Sequence, residues 1–129
     1  MASIIVFSGP DKDKYYPLGR RTNVIGRDEA LSIQILDPKI SRKHFQIIFD
    51  GNQKSYFALD MKSKHGVFIN GNKIDNETIL SDGDNIRIGE TEILFTLNDF
   101  EDRESALNHY KKVGERKYPT ITNFPEKQS

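Results

Sequence analysis

What most restricts the fold of this chain is the rhythm of its apolar residues. From Ala2 to Leu97 they come in short runs rich in Ile, Val, Phe and Tyr, and clusters of Gly, Asn, Asp and Ser separate the runs. β-Branched and aromatic side chains suit a pleated, half-buried surface, so the runs predict strands and the clusters predict turns. About eleven short strands are expected: Ser3–Phe7, Tyr15–Leu18, Asn23–Ile25, Ile33–Ile35, Phe45–Phe49, Tyr56–Asp60, Val67–Ile69, Lys73–Ile74, Ile79–Leu80, Asn85–Ile88 and Glu92–Leu97. That spacing belongs to an all-β sandwich or barrel. In Ile86-Arg87-Ile88 and Glu92-Ile93-Leu94-Phe95 apolar and polar residues partly alternate, a pattern satisfied by two facing sheets. Asn70-Gly71 can take positive φ at both central positions of a tight hairpin, and Asp50-Gly51 and Asp82-Gly83 are read the same way.

Beyond Leu97 the pattern changes. Asn98 or Asp99 is placed to cap a helix over 98–116, with Glu101, Asp102 and Glu104 in its first turns, Lys111-Lys112 in its last and Gly114 as its stop. Phe100, Leu107 and Tyr110 lie near one face, predicted to rest on the sandwich. Residues 117–129, with Pro119, Pro125 and few apolar side chains, read as a flexible tail or linker. The strand-rich segment 1–97 is then the single domain of a 129-residue chain.

Composition narrows the function. Nineteen basic residues balance nineteen acidic ones, so no global field draws the chain to nucleic acid or an anionic membrane, and any basic site must be local. The absence of cysteine excludes disulfides and thiolate metal sites. No export signal and no run near the roughly 20 apolar residues of a membrane-spanning helix is present, so a cytoplasmic location is expected. The three histidines are scattered without metal spacing and no phosphate-binding glycine loop of a nucleotide enzyme occurs, so neither metal nor cofactor is expected.

Three segments at predicted strand ends hold the informative side chains: Gly26-Arg27, Ser41-Arg42-Lys43-His44 and Ser63-Lys64-His65-Gly66. If those ends meet at one edge, Arg27, Ser41, Arg42 and Lys64 converge with Lys43 and Lys62 as a cationic rim. Two guanidinium forks, an ammonium and a hydroxyl suit a phosphate monoester, a dianion with three terminal oxygens, better than a carboxylate. Ser41, His44 and Asp60 do not make a hydrolase triad, because no nucleophile elbow or oxyanion hole accompanies them, and no enzyme activity is expected.

The order of Gly26-Arg27, Ser41-Arg42-Lys43-His44, Ser63 to Gly66, Asn70-Gly71 and the Asp82-Gly83-Asp84 turn resembles the forkhead-associated (FHA) domain over about Ile4 to Leu97. The resemblance implies a two-sheet β-sandwich whose loops at one end bind phosphothreonine peptides. It implies that Arg27 and Ser41 are the main phosphate contacts, that Arg42 and Lys64 assist, and that Gly26, His44, Gly66 and Asn70 shape the loops. The sequence departs from many members at His65-Gly66-Val67, where asparagine-glycine-threonine is usual, and His65 is expected to take over the contact with the peptide backbone. The partner implied is a phosphothreonine protein, a kinase or a kinase substrate. Thr120 or Thr122, once phosphorylated, is a further candidate ligand within the chain or in a second copy.

Each segment alone has an ordinary explanation: Arg27 as a solvated turn residue, Ser41 as a loop cap, Arg42-Lys43 as an edge that discourages strand addition. Their joint order carries the case. A scaffold of the same fold that binds or oligomerises without phosphate is the alternative. An oligonucleotide-binding barrel is disfavoured because the basic residues are not interleaved with exposed aromatics.

Overall fold

The computed structural model describes residues 2–98, 107 and 108. Eleven strands appear: β1 (Ser3–Ser8), β2 (Tyr15–Pro17), β3 (Asn23–Gly26), β4 (Ile33–Gln34), β5 (Phe45–Asp50), β6 (Ser55–Asp60), β7 (Phe68–Ile69), β8 (Asn72–Lys73), β9 (Thr78–Ile79), β10 (Asn85–Ile88) and β11 (Thr91–Thr96). They form two sheets, one in the order β2-β1-β11-β10-β7-β8 and the other in the order β4-β3-β5-β6-β9. Every expected strand is present to within a residue or two at its ends.

The period-two pattern decides which side chains enter the core. Ile4 and Val6 of β1, Ile86 and Ile88 of β10, and Ile93 and Phe95 of β11 face Ile25 of β3, Phe45 and Ile47 of β5 and Ala58 of β6 in one buried cluster. Tyr56 joins the sheets: its ring lies 5.7 Å from that of Phe95 in an edge-on pair and 5.0 Å from that of Phe49. Its hydroxyl, which must find a partner when the ring is buried, donates to Gly19 O at 2.6 Å. On the outer face of the six-stranded sheet, Ile5 and Leu94 make a second cluster against which Phe7, Tyr15 and Leu107 pack. Leu107 and Asn108 are helical. The rest of the helix expected over 98–116, Asn98 apart, and the whole tail 117–129 lie outside the described residues.

Two turn expectations need correction. Asn70 (φ 52°) and Gly71 (φ 86°) do form the tight β7–β8 connection. Asp50-Gly51 does not: Asp50 pairs with Ser55, four residues span the connection, and the left-handed position is Lys54 at φ 53°. Asp82-Gly83 joins no hairpin either, since β9 and β10 belong to different sheets. There the Asp82 carboxylate accepts from Thr96 Oγ1 at 3.0 Å and Leu97 N at 2.9 Å, tying the crossing to the end of β11. The one parallel pair among the described strands, β3 with β4, carries the chain from Gly26 out through the loop that begins at Arg27 and back to the same sheet edge.

Candidate functional site

Three loops meet at one end of the sandwich, laced by backbone hydrogen bonds. Arg27 N donates to Ser41 O and Asp28 N to Arg42 O, each at 3.1 Å. This approach demands glycine at position 26, because a β-carbon there would stand 2.1 Å from Arg42 O. The first and second loops therefore behave as one unit.

His44 binds that unit to the third loop. It is fully buried; its Nδ1 accepts from Ser41 N at 3.1 Å and its Nε2 faces Gly66 O at 2.7 Å. A backbone N–H can only donate, so Nδ1 is the acceptor and Nε2 carries the proton. Burial pushes the pKa of His44 below the ordinary histidine value, which favours this neutral form. Within the third loop, the Asp60 carboxylate accepts from Ser63 N and from the Ser63 hydroxyl, whose oxygen accepts from Gly66 N at 3.0 Å. The relay holds Lys62 (φ 60°) and Gly66 (φ 85°) in the left-handed region, a cost that surrounding bonds must offset at Lys62.

On this frame sit the polar groups. Lys64 N donates to Ser41 Oγ at 3.1 Å, so the hydroxyl is anchored through its oxygen and keeps its own proton to donate. Arg27 Nε donates to Ile40 O at 2.9 Å, which orients the exposed guanidinium. Its two terminal nitrogens make no hydrogen bond or ion pair among the described residues. Arg42 is more committed, pairing with Asp28 Oδ2 at 3.2 Å. The Ala30 N–H, and then the Arg42 charge, hold the Asp28 carboxyl below its ordinary range. Lys43, Lys62, Lys64 and His65 are exposed around them.

Arg27, Ser41, Arg42, Lys64 and His65 thus share one edge, with Gly26, His44 and Gly66 between and beneath them. Asn70 lies apart from that edge's bonds: its side chain donates to Asp84 Oδ1 at 2.9 Å and accepts from Asn85 N at 3.0 Å, fixing the β7–β8 turn against the start of β10. Sequence reasoning missed two supports. Buried Asp37 accepts from Lys39 N (2.9 Å), Glu90 N (2.8 Å) and Thr91 Oγ1 (2.9 Å), which latches the loop carrying Ile40 and Ser41 to the β10–β11 turn. The Asp60–Ser63 relay is the other; its signal is local, an aspartate, a serine and a glycine each three residues apart.

The chemistry this edge offers is anion binding. A guanidinium with both amino groups available, a serine O–H, a partly engaged second guanidinium and an ammonium give charge-assisted hydrogen bonds to a phosphate dianion. His44 Nδ1 is occupied by the Ser41 backbone N–H, so His44 is not placed to act as a base on the Ser41 hydroxyl.

A two-sheet sandwich with three laced loops and an anion-binding edge defines a class of interaction domain. A model of the FHA domain family matches residues 23–89, and this chain belongs to that family. It is 31% identical over 94 residues to the oxoglutarate dehydrogenase inhibitor of Corynebacterium jeikeium, covering 73% of this chain and 63% of that protein. To the FHA domain-containing protein FhaA of Mycobacterium tuberculosis it is 35% identical over 83 residues, 64% of this chain and 15% of FhaA. The chain therefore spans less than two thirds of either relative. A structure solved in a structural and functional analysis of phosphothreonine-dependent FHA domain interactions superposes with a TM-score of 0.67 at 28% identity, covering 77% of this chain and 98% of the other. No helix among the described residues is long and apolar enough to cross a membrane.

Proposed function

We propose that the chain is a phosphothreonine-dependent protein-interaction module without catalytic activity of its own. The observation that carries the reading is Arg27: its Nε is spent on Ile40 O, its terminal nitrogens have no partner among the described residues, and its backbone is bonded to that of Ser41, whose hydroxyl oxygen accepts from Lys64 N. Arg27 and Ser41 clamp the phosphate, Arg42 and Lys64 assist, and His65 meets the peptide backbone next to the phosphothreonine. Preference for threonine over serine follows from membership of the family, and a kinase or kinase substrate is the partner class. A phosphorylated Thr120 or Thr122 would be a ligand of the same kind, recognised by a change of mass in solution after kinase treatment.

Fluorescence polarisation with a degenerate phosphothreonine peptide pool, set against the unphosphorylated and phosphoserine pools, tests the reading. Binding should depend on phosphate and favour phosphothreonine. Arg27→Ala removes charge-assisted bonds worth about 1.5–3 kcal/mol each, so affinity should fall at least about tenfold with the fold retained. Equal binding of phosphorylated and unphosphorylated pools would instead support the phosphate-independent scaffold.

A further inference from the structure

The outer face of the six-stranded sheet carries a second polar feature next to the phosphate loops. Register places Lys73 of β8 opposite Phe68 of β7, Phe68 opposite Arg87 of β10, and Arg87 opposite Glu92 of β11. Side chains directly opposed across strands share a face and lie within contact reach, so the four form one row. The Arg87 guanidinium carbon lies 4.3 Å from the centre of the Phe68 ring, over its face, a cation–π pair. At the other end of the row Lys73 folds over the third loop: its Cε is 2.8 Å and its Nζ 3.6 Å from the place a β-carbon on Gly66 would occupy. The row thus runs directly off the loop that carries Lys64 and His65.

Charge along the row is unbalanced. Lys73 and Arg87 are exposed, and neither makes a salt bridge among the described residues. The acid at the end of the row, Glu92, is partly buried and accepts from Asn85 Nδ2 at 3.1 Å. A lysine on a two-residue edge strand also discourages strand addition, but that role does not require the side chain to fold back over Gly66. The Phe68 ring engages the Arg87 guanidinium through its π face, and no hydrogen bond or ion pair among the described residues takes up its N–H donors, which suit a planar carboxylate.

We propose that Phe68, Lys73 and Arg87 form a carboxylate subsite, which takes aspartate or glutamate side chains of the same partner segment whose phosphothreonine enters the loops. The proposal rests on the phosphothreonine reading above and adds the charge of the partner: acidic beside the phosphate, on the side that crosses the third loop toward β7 and β10.

The test uses phosphothreonine peptides matched in length, one flanked by glutamates on its N-terminal side, one on its C-terminal side, and one flanked by glutamines on both. Binding constants are measured for the wild type, Lys73→Gln, Arg87→Gln and Arg27→Ala. One glutamate-flanked peptide should bind the wild type about fivefold more tightly than the glutamine-flanked one, the sum of two exposed charge pairs. In Lys73→Gln and Arg87→Gln that ratio should fall toward one, a change of selectivity that a merely loosened fold does not produce. If phosphopeptides bind and Arg27→Ala abolishes binding, yet the wild type shows no acidic preference or both glutamine variants keep it, the subsite is wrong and the phosphothreonine reading stands. If no phosphopeptide binds the wild type, both fall.

Discussion

At the scale of single residues, the site depends on groups that never touch a ligand. Gly26 is required by the closeness of Arg42 O, and His44 by the need for an acceptor toward Ser41 N and a donor toward Gly66 O on one buried ring. Protonating His44 would set an N–H against the Ser41 N–H and break the bond that holds the loop carrying Ser41. Burial, which disfavours the charged ring, holds the pKa of His44 below the ordinary histidine value. A group whose folded pKa is depressed contributes stability that is full above its unfolded value, roughly 6.5 for histidine, and is lost as pH falls toward the folded value. Urea midpoints of the wild type should accordingly drop between pH 7 and pH 5, with a slope of up to about 1.4 kcal/mol per pH unit from this one proton. His44→Asn should be less stable at pH 7 but flatter across the window; an unchanged slope would mean that other groups set the acid sensitivity. Arg27, Ser41 and His44 were legible in the sequence because each belongs to a short, ordered motif. Lys73 was not, since only the β7–β8 register brings it over Gly66.

At the scale of elements, the loop between β4 and β5 carries both the Ile40 carbonyl that orients Arg27 and the Ser41 hydroxyl, and what secures it is the Asp37 latch. Asp37 lies 1% exposed. Burial raises its pKa, but the hydrogen bonds from Lys39 N, Glu90 N and Thr91 outweigh that effect and keep the carboxyl below its ordinary value. Asp37→Ala would strand the part-buried Lys39 N and Glu90 N and the buried Thr91 hydroxyl at a cost of about 1–3 kcal/mol each at most, so it should lower stability by about 3 kcal/mol and weaken phosphopeptide binding as well. Lys39→Ala breaks only the exposed pair with Glu90, 2.8 Å long, and should change stability by less than about 1 kcal/mol. Equal effects of the two substitutions, measured by denaturation, would dismiss the latch. No local spacing announces it: Asp37 and Thr91 are 54 residues apart. Strand existence was readable from short apolar runs, whereas the β3–β4 parallel pair and the crossing at Asp82-Gly83 follow from how two sheets close on one core.

For the molecule as a whole, an electrically neutral chain brings Arg27, Arg42, Lys43, Lys62 and Lys64 onto three hydrogen-bonded loops of one sandwich. The composition requires any basic site to be local, and the hydrogen bonds among the three loops gather the residues of the proposed one. Because the proposed ligand contacts lie on loops carried by the sandwich, phosphopeptide binding should leave the strands in place. The most direct test is backbone amide mapping by NMR of the uniformly labelled chain titrated with a phosphothreonine peptide and with its unphosphorylated form. We predict that the phosphorylated peptide alone shifts the amides of Arg27, Ser41, Arg42, Lys64 and His65. The same shifts from both peptides, or shifts confined to a sheet face away from these loops, would contradict the assignment of this edge as the phosphate site.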